Sequence, residues 1–193
     1  MKQIIARANV PDPLISVDEA KEQSRIDGDA DDDTLKALVA AVSDAIDGPK
    51  SMLGRAVMPQ LWGCAQPLPR RYDVVKIPIT PLIEIEAVKF IDTDDVSHSM
   101  SIDEFRVYRF DTYTEIEPVN RWPSGSLRKD ALTITASYGH AEEQVPEKIK
   151  QAARLLCAHW FENREATADR PQRSIPFGVQ CLLDIDRRGW VGA

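Results

Sequence analysis

The stretch 145-VPEKIKQAARLLCAHWFENREA-166 decides how the rest of the chain is read. Pro146 suits the first helical position, where its missing N–H leaves no hydrogen bond unmade, and Glu147 favours the positive end of the helix dipole. Ile149, Ala153, Leu156 and Trp160 recur at helical spacing beside Ala152, Leu155 and His159, which makes a broad apolar stripe. Lys148, Lys150, Arg154, Glu162 and Arg164 fall largely on the other faces. The spacing predicts a helix over residues 146–166, about 30 Å long at roughly 1.5 Å per residue. Ile149, Ala153, Leu156 and Trp160 are its expected core anchors. With Trp160 packed in the core, its truncation to Ala should cost about 3–5 kcal/mol.

Upstream, the two prolines of VPDPL fix an extended entry through residues 1–15. Ser16-Val17-Asp18-Glu19 then reads as a capping box, with a short helix expected over residues 17–25. A second helix is expected over residues 34–53, with Leu35, Leu38, Val39, Val42 and Ile46 on one stripe. Gly48-Pro49 should kink or stop it, leaving a last turn near residues 51–53. The acidic run between these helices, Asp27 to Asp33, invites comparison with a calcium loop. Such a loop needs Gly at its sixth position and Glu at its twelfth, whereas a loop starting at Asp27 has Asp32 and Leu38 there. Asp31, Asp32 and Asp33 are better read as capping the second helix and complementing its dipole.

Between Val57 and Tyr138 the pattern changes to period two. Short strands are expected at 60–65, 74–77, 83–92, 96–100, 105–110, 114–117 and 131–138. Pro67, Pro69, Pro78, Pro81, Pro118 and Pro123 fall between those runs, as turn and edge residues do. Beyond the long helix, 167–174 is polar and reads as a loop, and a final short helix is expected over 177–187. The fold class is therefore α+β: mainly a bundle of about four helices, with an antiparallel β insertion between the second and third. The expected divisions are 1–56, 57–139 and 140–193.

With 193 residues the chain is long enough for a sizeable core, and its 43% hydrophobic and 28% charged residues argue against wholesale disorder. Cys64, Cys157 and Cys181 are odd in number and widely spaced, so they predict neither a disulfide framework nor a zinc site. The N-terminus lacks the apolar region of a signal peptide, and no run approaches the roughly 18 apolar residues of a membrane helix. These features predict a soluble, intracellular protein. The net charge of −7 argues against tight gripping of DNA phosphates, though not against a surface that DNA slides past.

Catalytic chemistry is hard to find. His98, His140 and His159 have no partners at metal-ligand spacing, and Ser124-Gly125-Ser126 lacks the frame of a nucleophile elbow. No phosphate-cradling glycine loop is present, and no cofactor or metal is implied. Arg70-Arg71 and Arg187-Arg188 read as solvated or ion-paired basic pairs.

The order of elements is more telling. The opening ISVDEAKEQSRIDGDADDDTLKALVAAVSDAI, the segment GRAVMPQLW, the strand ITPLIEIEAVKFIDTDD and the closing VPEKIKQAARLLCAHWFENREA together resemble the head–tail connector (adaptor) proteins of long-tailed phages, prophages and gene transfer agents, often called possible DNA-packaging proteins. The resemblance spans about residues 15–187. Its most specific parts are the acidic turn, Gly54-Arg55, and the His-Trp-Phe-Glu-Asn-Arg core of the long helix. The basic tail with Trp190 departs from the pattern.

That resemblance implies a virion structural protein without an active site. It would be made in the bacterial host cytoplasm and placed in the virion neck. Its partners would be itself, in a ring of twelve under the portal protein, and the next neck or tail protein. DNA would pass through the channel without specific binding, and a negative channel wall would ease that passage. No membrane is involved. A closed ring needs two unlike faces on each subunit. Asp31, Asp32 and Asp33 on one side and Lys150, Arg154, Glu162 and Arg164 on the other are the candidate interface. Arg187, Arg188 and Trp190 are the candidate portal-docking segment, and the 167–174 loop is expected to order on docking. The alternatives are another neck or tail-completion protein or, from a different class, a small enzyme or binding module.

Overall fold

Ser16 converts the extended entry into the first helix by the reciprocal bonding its sequence predicts. The Glu19 N–H donates to the Ser16 hydroxyl at 3.1 Å, and the Ser16 N–H donates to the Glu19 carboxylate at 2.7 Å. The resulting helix α1 is Val17–Ser24, closed by Arg25 in the left-handed conformation. The computed structural model describes residues 4–163 and 175–187. Among these are α2 (Asp32–Ile46), α3 (Glu147–Glu162) and α4 (Phe177–Asp184). Pro146 stands at the N-cap of α3, one position before its expected place.

The second helix stops just before Gly48-Pro49, as its sequence predicts. Asp47 is extended, Gly48 has φ +123, and Gly48 bridges to Arg55, so the chain folds back at once. The buried Asp47 carboxylate accepts the N–H groups of Val57 at 2.6 Å and Met58 at 3.1 Å. The Ser51 hydroxyl donates to the carbonyls of Ile46 and Gly48. A local hydrogen-bonded turn thus replaces the last helical turn expected near residues 51–53.

The chain forms two compact units. One comprises Asp12–Met58 and Ala141–Ala193, the other Met1–Pro11 and Pro59–His140. In the helical unit, Leu35, Val39, Val42 and Ile46 of α2 join Ile149, Ala153 and Leu156 of α3 in one buried cluster, with Val179 and Leu183 of α4. Trp160 is only partly buried and packs against that cluster from its rim, unlike the core residue that its place on the stripe suggests.

The β unit has two antiparallel sheets. Strands β1 (Ile4–Arg7), β2 (Gln60–Gln66), β4 (Leu82–Ile91), β5 (Ser97–Met100) and β8 (Leu132–Tyr138) form one, in the order β1-β2-β8-β4-β5. Strands β3 (Val75–Ile77), β7 (Thr114–Pro118) and β6 (Phe105–Arg109) form the other, in the order β3-β7-β6. Period two is plain in β2 and β8. Trp62 and Cys64, and Leu132, Ile134, Ala136 and Tyr138, are buried, while intervening residues are half-buried. Strand β1 pairs with β2 in register Ile4↔Ala65 to Arg7↔Trp62. Eight strands among the described residues correct the expectation of a mainly helical bundle: the class is α+β, and the strands form a two-sheet unit with its own buried residues.

Candidate functional site

The charged residues expected to face a neighbouring subunit are partly engaged within their own unit. Arg154 of α3 reaches Glu19 of α1 at 2.5 Å and Glu147 at 2.6 Å. Burial works to raise the Glu19 pKa, but the hydrogen bonds from Arg154 and Ser16 outweigh it and hold the carboxyl below its ordinary value. The same carboxylates push the Arg154 guanidinium up. Lys21 of α1 binds Asp29 at 2.9 Å and Asp32 at 2.5 Å, so part of the acidic turn is neutralised in place. Those two carboxylates raise the Lys21 ammonium to about 12. Asp31 is the N-cap of α2 but makes no side-chain cap bond, while Asp32 and Asp33 stand in its first turn. Dipole complementation accounts for these two better than capping does.

Lys150 is half-buried and Glu162 exposed. Lys148 joins α3 to the turn after α4 through Asp186 at 2.9 Å, and Arg187 lies 3.7 Å from Asp184. Arg164, Arg188, Trp190 and the 167–174 loop lie outside the described residues.

An open, polar depression of about 410 Å³ lies beside the Arg154–Glu19 pair, lined by Glu19, Glu22, Gln23, Gln151 and Arg154. It holds no His, Cys, Ser or Lys to act as base or nucleophile. Among the described residues no group of three or more His, Cys, Asp or Glu is placed to hold a metal ion. His98 lies 2.6 Å from Asp92, and its ring stacks on Phe90. Asp92 also accepts the N–H groups of Asp94 and Val96, so the cluster closes the β4–β5 turn. The His98 hydrogen bond and those backbone bonds hold the Asp92 carboxyl below its usual range. His159 is bonded to Asn163, the residue that caps the C-terminus of α3. No described helix is long and apolar enough to cross a membrane.

A surface that the sequence marks at Arg70-Arg71 only as a solvated or ion-paired pair lies in the β unit. Trp122 is buried, its ring centroid 5.2 Å from that of Phe105. Its backbone N–H donates to the Arg71 carbonyl at 3.0 Å, and its indole N–H donates to the Asp73 carbonyl at 2.7 Å. Further along the same loop, Arg128 binds Asp130 at 3.0 Å and Asp95 at 2.8 Å. Residues 119–130 are thereby fixed against residues 70–73 and the β4–β5 turn. Its signals in the sequence are the Arg70-Arg71 pair and a lone Trp among turn residues.

Charge is unevenly divided. Residues 12–58 carry eleven carboxylates against five basic side chains, so that segment supplies −6 of the chain's −7. The β unit, with twelve acids and eleven bases, is close to neutral.

The fold is thus that of a two-unit α+β chain, one unit helical and the other made of two antiparallel sheets. No protein-family model and no curated protein matches the sequence. Among solved structures, a chain in the neck of an empty gene transfer agent (GTA) particle, computed with C6 symmetry, is 22% identical to it. The match covers 98% of each chain with a TM-score of 0.78. A chain in the virion of a native GTA particle is also 22% identical, over 98% of each chain, with a TM-score of 0.73. A chain in the neck of a native GTA particle, computed with C12 symmetry, is 21% identical, with a TM-score of 0.62. That match covers 95% of this chain and 99% of the other. At this identity the likeness establishes a shared fold.

Proposed function

We propose that this chain is a structural subunit of the neck of a phage-like particle: a head–tail connector (adaptor) that forms a ring under the portal and joins the DNA-filled capsid to the tail. The observation that carries this reading is full-length likeness, at 98% coverage of both chains, to a chain from the neck of a GTA particle. A likeness confined to either unit would point to a reused module; this one spans both. The C6 and C12 symmetries used for those necks support a ring, and a twelve-fold arrangement fits both. The role is structural rather than catalytic, as suits a chain that resembles one from a particle neck. The net charge of −7 keeps the subunit from gripping passing DNA.

The test is a particle-producing strain lacking this gene. DNA-filled heads without attached tails are expected, together with a ring stacked on purified portal protein by electron microscopy when the chain is added back. Tailed particles in the deletion strain would overturn the reading. A ring found further down the neck, with no portal contact, would move the chain to another neck or tail-completion role.

A further inference from the structure

The corner formed by residues 70–73 and 119–130 of the β unit is both basic and fixed. Arg70, Arg71 and Arg121 are exposed, and among the described residues none of the three is in an ion pair. Asp73 is the acid in the 70–73 segment. Tyr72 is 64% exposed, with the Arg71 guanidinium 5.4 Å from its ring centroid, and Leu127 on the same loop is 99% exposed. The backbone beneath them is held from below by Trp122, and Val119 donates to the Glu104 carbonyl at 2.8 Å. Free arginines, an open tyrosine and an open leucine on an immobilised loop suit a protein contact, because little conformational freedom is left to lose on docking.

The complementary charge lies on the same sequence. Residues 12–58 hold −6, and two carboxylates of their acidic turn, Asp27 and Asp33, are exposed and outside any ion pair among the described residues. A ring needs two unlike faces on each subunit, one to meet the other on the next copy. We infer that the Arg70–Arg71–Arg121 corner of one copy docks on the Asp27–Asp33 turn of the next and is one half of the head-to-tail ring contact. This rests on the neck-subunit reading above. Duplex DNA is the weaker occupant. Three arginines give a salt slope of only about 3, and they sit on a chain of net charge −7.

The inference is tested by charge exchange between full-length chains, with assembly on portal rings followed by sedimentation and electron microscopy. R70E/R71E/R121E should keep the wild-type melting curve, and D27K/D33K, which reverses a charge at the α2 N-terminus, should melt only a little lower; each should need at least about tenfold more protein to assemble. In an equimolar mixture the two variants alternate around an even-numbered ring, every contact again pairs opposite charges, and assembly should return. Rings that form equally well from R70E/R71E/R121E alone would overturn this contact and leave the neck reading intact. Loss on reversal without recovery in the mixture would overturn the pairing of these two surfaces. A wild-type chain that forms no ring with portal would overturn both readings. Binding to a duplex oligonucleotide that the reversal abolishes, with rings unaffected, would reassign the corner to DNA.

Discussion

Glu19 on α1 and Arg154 on α3, 135 positions apart in the chain, meet with the guanidinium Nη2 2.5 Å from the carboxylate Oε1. The other oxygen of the same carboxylate accepts the Ser16 N–H, so one side chain both starts a helix and holds it to another.

The pH dependence of that arrangement follows from the depressed Glu19 carboxyl. A folded-state pKa below the ordinary 4.5 means that the stabilisation is full above the unfolded-state value and is lost as pH falls through the folded-state value. Glu19→Gln should therefore be less stable than wild type at neutral pH, with the difference shrinking below about pH 4.5. Urea unfolding of both proteins across the acid range measures it. A difference that stayed constant to pH 3 would show that the ionised carboxylate is not responsible.

Asp47 holds the turn that follows α2. Replacement by Ala leaves the buried N–H groups of Val57 and Met58 without their acceptor. At about 1–3 kcal/mol per orphaned group, Asp47→Ala should cost about 2–6 kcal/mol and accelerate hydrogen exchange at both amides. A loss well under 1 kcal/mol would mean that the turn is closed by other contacts.

The two halves of the α3 stripe should respond differently to truncation. Leu156 is fully buried and Leu156→Ala should cost about 2–5 kcal/mol. Trp160, partly exposed at the rim, should lose less on truncation to Ala than the 3–5 kcal/mol of a buried Trp. Thermal or chemical denaturation of both variants gives the order, and a larger loss at Trp160 would place its ring deeper than its exposure indicates.

Thiol chemistry separates the three cysteines. Burial raises the Cys64 thiol to about 12 and pushes Cys157 up as well, whereas Cys181 is exposed. At pH 8 iodoacetamide should label Cys181 alone in the folded protein and all three in denaturant. Native-state labelling of Cys64 would require an opening of the β2–β8 pairing.

Much of the fold is legible in the sequence because its signals are local. The alternation in β2, β4 and β8 places each strand within one residue of its observed bounds, and the Ser16–Glu19 box marks the start of α1. Strand β1 escapes notice because four residues carry too little periodicity. What makes them a strand is a partner beginning at Gln60. The stop of α2 is legible in Gly48-Pro49, but the turn that replaces a further helical turn is not, because it is held by Asp47 bonding ten and eleven residues onward. The candidate site is less legible for the same reason. Arg154 reads as a surface charge until Glu19 is beside it, and the exposed arginines become a defined corner only through Trp122 reaching back 49 residues to Asp73.

The position of β1 bears on how the chain is made. Both units are assembled from two separated segments, so neither is complete when its first segment leaves the ribosome. Strand β1 must wait for β2, and the α1–α2 pair must wait for α3, whose residues follow the whole of the β unit. At about 5–20 residues per second the apolar faces of α1 and α2 stay uncovered for several seconds of synthesis. The nascent chain therefore passes through an interval that favours chaperone engagement, and slowed translation after residue 58 should lower the soluble yield.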